Sequence, residues 1–452
     1  MILKRKIYQK LLEWKNECQG TKALMIEGAR RIGKSTVCVE FGKNEYESYI
    51  LIDFALKDEV VKSYFYKYLN DLDTFFMLLQ THYGIDLIER KSLIIFDEVQ
   101  MFPQARAAIK YLVKDGRYDY LETGSLISIK ENVKDIVIPS EERHINMYPL
   151  DFEEFAIALK KETLVKYIKD CFKKKIPLEN GIHHEAMLLF EQYMLVGGMP
   201  KPIVHFIESK KNFTKVDKEK RDILKLYRED IMKIDERYRG KVLYIFDQIP
   251  GFLSKHEKRI YFNDIKEGSC FSQYEESFFW LSDSMIANEC FLCNDPNIGL
   301  SLNETRSYIK CYLSDTGLLI SHAFSENELL EDEVYKQILA GKLSINKGMF
   351  YENIIAQMLV SNGHKLYFYT HYDINKHRND MEIDFIISNN SKLKYKMYPI
   401  EVKSSKKYST TSLNNFINKY KDRIGEAYII HPKNLMIKDE ITCIPVYMTM
   451  CL

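Results

Sequence analysis

Residues 22–36 are Lys-Ala-Leu-Met-Ile-Glu-Gly-Ala-Arg-Arg-Ile-Gly-Lys-Ser-Thr, a short apolar run followed by the pattern GxxxxGK[ST]. The apolar run is typical of a buried strand, and the residues after the pattern are typical of a helix. In this order they form a phosphate-binding loop, whose backbone N–H groups point at phosphate oxygens while the helix adds its positive end. The sequence therefore predicts a nucleotide site here.

The residues of this loop have separate expected roles. Lys34 is expected to bridge the β- and γ-phosphates, and the Ser35 hydroxyl is expected to ligate Mg²⁺. The alternative is a chance Gly/Lys loop, which the strand before it and the helix after it disfavour. The predicted nucleotide-binding residues are Gly28, Ala29, Arg30, Arg31, Ile32, Gly33, Lys34, Ser35 and Thr36.

A second apolar run, Leu93-Ile-Ile-Phe96, is followed directly by Asp97 and Glu98. Four apolar residues predict a central buried strand, and the carboxyl ends of parallel strands are where ligands collect in α/β sheets. We expect Asp97 to hold the Mg²⁺ shell and Glu98 to orient or deprotonate the attacking water. Alone, an apolar run that ends in Asp-Glu is commonplace and usually structural. The phosphate-binding loop about 60 residues upstream makes a joint nucleotide site the favoured interpretation of Asp97 and Glu98.

The next predicted strand, residues 118–125, ends in the small polar residues Thr123, Gly124 and Ser125. This strand end is a candidate position for a sensor of the γ-phosphate or of water, with Ser125 or Thr123 supplying the hydroxyl. The alternative is a simple turn. Ser125 is a catalytic candidate together with Lys34 and Glu98.

Length and composition limit the class of protein. The chain has 452 residues, 46% hydrophobic and 29% charged, with a formal net charge of +1. These values disfavour disorder and a disulfide scaffold, and about three domains are expected. The charged start and the short apolar runs predict a cytoplasmic protein without a secretory signal or membrane span. Cys290 and Cys293 form a CxxC pair with no second pair, which favours buried thiols over zinc.

Several motifs together resemble the AAA-type ATPases that are paired with a C-terminal domain of unknown function, DUF4143. They are GARRIGKS at 28–35, LIIFDE at 93–98, ETGSLIS at 122–128, MYPLDFEEF at 147–155, YMLVGGMP at 193–200 and KCYLSDTGLL at 310–319. The resemblance implies ATP as the nucleotide. It also implies that Arg143 touches phosphate in its own or a neighbouring subunit, the alternative being a surface arginine.

The resemblance implies an α/β protein with four segments. They are a P-loop AAA+ ATPase core at 1–148, a helical lid and connector at 149–240, a winged-helix-like segment at 241–340, and an α/β restriction-endonuclease-like domain at 341–452. Apolar spacing independently predicts helices over 151–240, broken by Gly197-Gly198, which suits a hinge. A helix near 273–281 carries Glu275 and Glu276 and no Arg or Lys, so packing is favoured over DNA reading.

The C-terminal segment holds a second group of charged residues. Glu352 lies on an amphipathic helix, Asp384 on one predicted strand, and Glu401 and Lys403 on one face of the next. They resemble the PD-(D/E)XK nuclease core, in which two carboxylates bind Mg²⁺ and the lysine activates or orients the water. The resemblance implies a second Mg²⁺ or Mn²⁺ at this nuclease-like site. The alternative is a set of ion pairs in a domain that binds without cutting.

Three functions follow from these patterns. The first is an Mg²⁺-dependent ATPase switch that couples nucleotide state to the nuclease-like domain. The second is an ATP-regulated, metal-dependent nuclease acting on DNA or RNA, and the third is a nucleotide-gated protein-interaction module with little hydrolysis. Nucleic acid, a partner protein and a homo-oligomer stay open as partners, and a membrane is not expected.

Overall fold

The computed structural model describes residues 1–124, 140–297, 299–326, 329–339, 347–373, 378–389 and 396–452. Its chain divides into two compact units, one formed by residues 2–148 and the other by residues 149–452 together with Met1. Each unit has its own β-sheet with helices around it. The predicted α/β class is confirmed.

The N-terminal unit is built on a five-stranded parallel sheet of order β2-β3-β4-β1-β5. Parallel neighbours need crossover connections, which the intervening helices supply. Its strands are β1 (Ala23–Glu27), β2 (Ser48–Asp53), β3 (Ser92–Asp97), β4 (Asp119–Gly124) and β5 (Glu142–Asn146). Its helices are Ile7–Cys18, Lys34–Glu45, Glu59–Lys67, Leu72–Tyr83 and Pro103–Asp115, with short 3₁₀ turns at Phe54–Leu56 and Val99–Met101.

Phenylalanine side chains form the centre of the core in this unit. The Phe65 ring packs edge-to-face against those of Phe54, Phe75, Phe96 and Phe102, with centroids 5.1–5.8 Å apart. Edge-to-face pairs of this kind add stabilisation beyond the area that they bury. Strand β3, which supplies Phe96, is buried along its whole length, as its apolar run predicts. The core thereby fixes the end of β3, where Asp97 emerges.

The C-terminal unit begins with helices, as the apolar spacing predicts over 151–240. Glu162–Lys174 and Pro200–Glu208 are amphipathic and bury one face each. Thr316–Ala323 and Lys347–Ser361 are buried along most of their residues, so the latter is not the amphipathic helix expected around Glu352. The helices are Phe152–Ala158, Glu162–Lys174, Asn180–Val196, Pro200–Glu208, Phe213–Ile231, Glu236–Ser254, Phe262–Ile265, Glu275–Asp283, Thr316–Ala323, Asp332–Leu339, Lys347–Ser361 and Thr411–Tyr420. Short 3₁₀ turns lie at Phe271–Gln273, Leu300–Asn303, Lys421–Arg423 and Val446–Cys451. No helix within the described ranges is both long and apolar enough to cross a lipid bilayer.

An eight-stranded mixed sheet completes this unit, in the order β12-β13-β11-β10-β9-β8-β6-β7. The pairs β6–β8, β10–β11 and β11–β13 are parallel, and the other neighbours are antiparallel. Its strands are β6 (Ala287–Cys293), β7 (Glu304–Leu313), β8 (Leu366–Asp373), β9 (Arg378–Asn389), β10 (Lys396–Val402), β11 (Ala427–His431), β12 (Met436–Lys438) and β13 (Ile441–Pro445).

The β6–β7 hairpin departs from the expected separate winged-helix-like segment. Helices do precede the hairpin, but β6 pairs in parallel with β8, with Cys290 opposite Leu366. The hairpin therefore extends the same sheet that carries the C-terminal strands. Such a pairing joins residues far apart in sequence, so the local helix-and-hairpin pattern gives no sign of it. Cys290 and Cys293 are buried in β6, as expected for structural thiols.

Gly197 and Gly198, the expected hinge, are fixed by packing. The Gly198 N–H donates to Asp315 Oδ2, and its carbonyl accepts from the Leu150 N–H at 2.7 Å. A Cβ atom on Gly198 would lie 2.1 Å from the Leu150 carbonyl oxygen. Asp315 also caps the helix Thr316–Ala323 by accepting from the Leu318 N–H at 2.8 Å. The glycine pair thus allows the backbone to pack closely against Leu150 and Asp315, and these contacts do not fit a flexible hinge.

Candidate functional site

The phosphate-binding loop lies between β1 and the helix Lys34–Glu45, where the sequence predicts it. Gly33, the last residue before this helix, has φ +93°, a left-handed conformation that residues with a side chain rarely adopt. Arg31 is also left-handed, with φ 67°. These two turns curl the chain between the strand and the helix. The loop is therefore shaped by local backbone geometry.

Lys34 is folded into this loop. Its Nζ donates to the carbonyl oxygens of Gly28 at 2.9 Å and Ala29 at 3.0 Å, and the residue is 5% exposed. Burial lowers the pKa of the Lys34 ammonium, while the nearby carboxylates of Glu98 and Asp97 act in the opposite direction. A cation held in this position lies within the curve of the loop. It is placed to meet phosphate oxygens there.

Ser35 and Asp97 meet across the ends of two elements. The Ser35 hydroxyl donates to Asp97 Oδ1 at 2.8 Å, although 62 positions separate the two residues in sequence. The Thr123 hydroxyl, at the end of β4, donates to the same Asp97 oxygen. A serine hydroxyl beside a carboxylate offers the oxygen ligands that Mg²⁺ prefers. The residues present therefore fit an Mg²⁺ ion at this place.

Glu98 follows Asp97 in a left-handed conformation, with φ 53°. Its backbone N–H donates to Thr123 Oγ1 at 3.2 Å, and its carboxylate accepts from Gln100 Nε2. Both contacts restrain the position of the Glu98 carboxylate relative to Asp97. Glu98, Asp97, Ser35 and Lys34 are thus gathered at one edge of the sheet.

The other two predicted catalytic residues have different outcomes. Arg143 Nη1 donates to Glu17 Oε2 at 2.7 Å, and its side chain is 43% exposed. Arg143 lies beside Leu24, three residues before the end of β1, so the structure does not bring it to the loop of its own chain. Contact with a neighbouring subunit stays a prediction. Ser125 lies outside the described residues.

The four residues predicted for the nuclease-like site come together in the C-terminal unit. Glu352 lies on the helix Lys347–Ser361, Asp384 on β9 and Glu401 on β10. Lys403 Nζ contacts Glu401 Oε1 at 2.5 Å. Asp384 Oδ2 accepts from the backbone N–H of Val402, the residue between them, at 2.8 Å. The structure therefore brings these four residues into one neighbourhood, and their role stays a prediction.

Two further lysines neutralise the same carboxylates. Lys310 Nζ, on β7, lies 3.9 Å from both Glu352 Oε2 and Asp384 Oδ1, and Lys258 Nζ pairs with Glu352 Oε1. Tyr312 also donates to Glu352 Oε2, at 3.1 Å. Across the described part of the chain, no three Asp, Glu, His or Cys side chains are arranged to hold a metal ion. The cluster with these lysine partners does not fit a resident metal.

Three sequence-family models match the chain. They are the AAA domain over residues 20–156, the domain of unknown function DUF8612 over 187–328, and the domain of unknown function DUF4143 over 347–448. The chain carries an AAA domain and a C-terminal DUF4143 domain. The resemblance drawn from the motifs is thereby confirmed, and the AAA domain lies mainly in the N-terminal unit. No curated protein sequence matches the chain.

Solved structures with similarity to the chain are distant. They include a structure on katanin self-assembly (15% identity, TM-score 0.23, 35% of this chain and 56% of that chain) and the structure of PCH-2 from C. elegans (11%, 0.27, 45% and 62%). A third is a DNA replication initiation factor (13%, 0.22, 78% and 96%). The chain spans less than two thirds of the first two structures.

Arg5, near the N-terminus, also contacts the phosphate-binding loop of the AAA domain. Arg5 Nη1 donates to the carbonyl oxygen of Ile32 in the loop at 2.8 Å, and Nη2 donates to the carbonyl oxygen of Tyr148 at 2.6 Å. One guanidinium therefore ties the loop to the end of the domain. Sequence reasoning missed Arg5 because it lies in a charged start that reads only as an amphipathic helix.

A cluster of charged residues lies beside the start of the phosphate-binding loop in the AAA domain. Arg106 Nη2 contacts Glu142 Oε2 at 2.8 Å, and both side chains are at most 3% exposed. His144 bridges Glu142, at 3.2 Å, and Glu27, at 3.1 Å. Its hydrogen bonds to Glu142 and Glu27 raise the pKa of His144 to about 9. Burial, together with Glu142, raises the pKa of Glu122 well above its ordinary value. A charged His144 links β5 to the last residue before the loop.

Sequence reasoning also missed Gln100, Lys258 and Lys310. Gln100 could have been found, because it follows Glu98 by two residues within one turn. Lys310 also leaves a signal, since it is a single charge inside an apolar strand, between Ile309 and Cys311. Lys258 leaves none, because it lies in a charged loop and 94 positions separate it from Glu352.

Proposed function

We propose that the AAA domain binds Mg²⁺-ATP and hydrolyses it. The observation that supports this most directly is the contact between the Ser35 hydroxyl and Asp97 Oδ1 at 2.8 Å, next to the buried Lys34. A loop lysine, a hydroxyl and a carboxylate are the groups that phosphates and their Mg²⁺ require. The preference for adenine rests on the family and not on the loop, which contacts phosphates.

Each residue has a proposed role in this reaction. The loop backbone and Lys34 bind the phosphates, and Ser35 and Asp97 would hold Mg²⁺, which neutralises developing charge on the phosphate oxygens. Glu98 orients the attacking water and accepts its proton. Thr123 positions Asp97 and the Glu98 backbone through one hydroxyl. Arg143 is proposed to contact phosphate bound by a neighbouring subunit.

Nucleotide binding by a Lys34→Ala variant tests the loop assignment. Removing a charged donor to phosphate costs roughly 1.5–3 kcal/mol, so ATP should bind roughly 10- to 100-fold more weakly. Lys43, exposed in the last turn of the same helix, provides a matched control. Lys43→Ala should bind ATP as the wild type does. Equal affinity in Lys34→Ala and wild type would contradict the assignment.

We further propose that nucleotide state alters the DUF4143 domain, which makes the protein an ATP-driven switch. Hydrogen exchange of the DUF4143 amides, measured with a non-hydrolysable ATP analogue and with ADP, should differ in the wild type. The difference should be lost in Lys34→Ala. Identical exchange in both nucleotide states would contradict coupling while leaving ATP binding intact.

Nucleic-acid cleavage by the DUF4143 domain is not part of this proposal. The predicted residues Glu352, Asp384 and Glu401 do lie together, but lysine ammonium groups face them. Lysine ammonium groups in these positions neutralise the carboxylates that a catalytic metal ion would need. Incubation of the full chain with DNA or RNA and Mn²⁺, compared with Asp384→Ala, should give no Asp384-dependent cleavage.

A further inference from the structure

Lys310 lies in the middle of the DUF4143 carboxylate cluster, although its strand precedes that domain in sequence. It is 1% exposed, and its Nζ is equally distant, at 3.9 Å, from Glu352 Oε2 and Asp384 Oδ1. A buried ammonium is costly unless charged partners surround it. Burial lowers the pKa of Lys310, but the attraction of Glu352, Asp384 and Glu382 outweighs it and leaves that pKa raised. Lys310 is therefore a charged cation between two acids.

The remaining oxygens of these two acids are fixed by other donors. Glu352 Oε1 pairs with Lys258, and Asp384 Oδ2 accepts from the Val402 N–H at 2.8 Å. The other two oxygens, Glu352 Oε2 and Asp384 Oδ1, face Lys310, and Glu352 Oε2 also accepts from the Tyr312 hydroxyl at 3.1 Å. The two acids are thus held in place on either side of one cation.

Glu401 adds a third oxygen to this neighbourhood. The residue is 5% exposed, and its Oε2 is buried and accepts no hydrogen bond from any described residue. Burial raises the pKa of Glu401 to about 7, and Asp384 adds to that rise while Lys403 opposes it. A buried carboxylate oxygen without a donor is rare in folded proteins. This oxygen adds to the concentration of acidic groups around Lys310.

We propose that Lys310 is a built-in cation that occupies the position of a divalent metal ion between Glu352 and Asp384. Hard divalent cations take carboxylate oxygens, and Glu352 Oε2 and Asp384 Oδ1 are the two that flank the Lys310 ammonium. While Lys310 is charged, its repulsion excludes the metal ion from the same two oxygens. This inference concerns a site separate from the ATP site and does not depend on ATP hydrolysis.

Manganese binding to the full chain without nucleotide tests this proposal. Mn²⁺ titration followed by electron paramagnetic resonance should give the same binding for wild type and Asp384→Asn, because neither has an open site at Asp384. Lys310→Met keeps the length of the side chain and removes its charge. It should bind Mn²⁺ at least about tenfold more tightly than wild type. Adding Asp384→Asn to Lys310→Met should abolish that gain.

Two lysine variants serve as controls. Lys255→Met changes an exposed lysine that pairs with Asp264, and Lys310→Arg preserves the charge inside the cluster. Neither should gain Mn²⁺ affinity. Two results would overturn the proposal: binding in wild type that Asp384→Asn removes, or a folded Lys310→Met that gains no affinity. If Lys310→Met does not fold, Lys310→Gln, which also removes the charge, takes its place, and a folded Lys310→Gln that gains no Mn²⁺ affinity would overturn the proposal.

Discussion

Thr123 and Asp97 are joined by a hydrogen bond from Thr123 Oγ1 to Asp97 Oδ1, and the same hydroxyl accepts from the Glu98 N–H at 3.2 Å. One hydroxyl therefore positions the proposed Mg²⁺ ligand and the proposed base together. Thr123→Val keeps the shape of the side chain and removes both contacts. Loss of a hydrogen bond to a charged group should lower kcat for ATP hydrolysis roughly tenfold or more.

The matched variant for this prediction is Thr123→Ser, which retains the hydroxyl and should keep most of the activity. ATP affinity, measured by calorimetry, should change little in either variant because Thr123 contacts neither the loop nor Lys34 in the described structure. A Thr123→Val protein that folds and hydrolyses ATP at the wild-type rate would contradict the positioning role.

The stability of the AAA domain should depend on pH through His144. Its pKa is about 9 in the folded state and about 6.5 when unfolded. A raised pKa contributes stability that is complete below pH 6.5 and is lost as pH rises through 9. The side chain is 40% exposed, so solvent screening limits the contribution to about 1 kcal/mol.

His144→Gln should remove this dependence. Thermal unfolding should be measured from pH 6 to pH 10. As the pH rises from 6.5 to 9, the unfolding temperature of wild type should decrease relative to that of His144→Gln. The difference between the two curves should vanish above pH 9. Parallel curves across the whole range would show that the contacts with Glu27 and Glu142 do not stabilise charged His144.

Gly198 should tolerate no side chain in the C-terminal unit. A Cβ atom would lie 2.1 Å from the Leu150 carbonyl oxygen, so Gly198→Ala should lower the free energy of unfolding by roughly 2 kcal/mol. Gly240, in the helix Glu236–Ser254, has open space around it. Gly240→Ala should leave stability unchanged or raise it by up to about 1 kcal/mol. Equal unfolding midpoints for the two variants would count against the packing role of Gly198.

The grouping of residues at the proposed ATP site could be anticipated from the sequence because its parts are local. A buried strand run followed by Gly28–Ser35, and another followed by Asp97 and Glu98, place their polar groups at strand ends that a parallel sheet aligns. The contact between Ser35 and Asp97 follows from that alignment. The role of Thr123 follows in the same way, since β4 pairs with β3.

The carboxylate cluster could be anticipated only in part. Glu401 and Lys403 share one face of a strand, which a period of two predicts. Lys310 and Lys258 reach the cluster through strand pairing and loop position that no local pattern specifies. For the same reason, the β6–β7 hairpin reads as a separate module although it extends the sheet of the DUF4143 domain. Local sequence patterns indicate which residues carry charge, but they do not indicate which distant strands pair.

The most direct test of the account is phosphate release from Mg²⁺-ATP by wild type and Glu98→Gln, with ATP binding measured on the same samples. The amide introduced by this substitution keeps the shape of the side chain but cannot accept the proton of the water. Turnover should fall roughly 100-fold or more while ATP affinity is retained. Wild-type turnover in Glu98→Gln, or no phosphate release from wild type, would contradict the assignment of this edge of the sheet as an ATPase site.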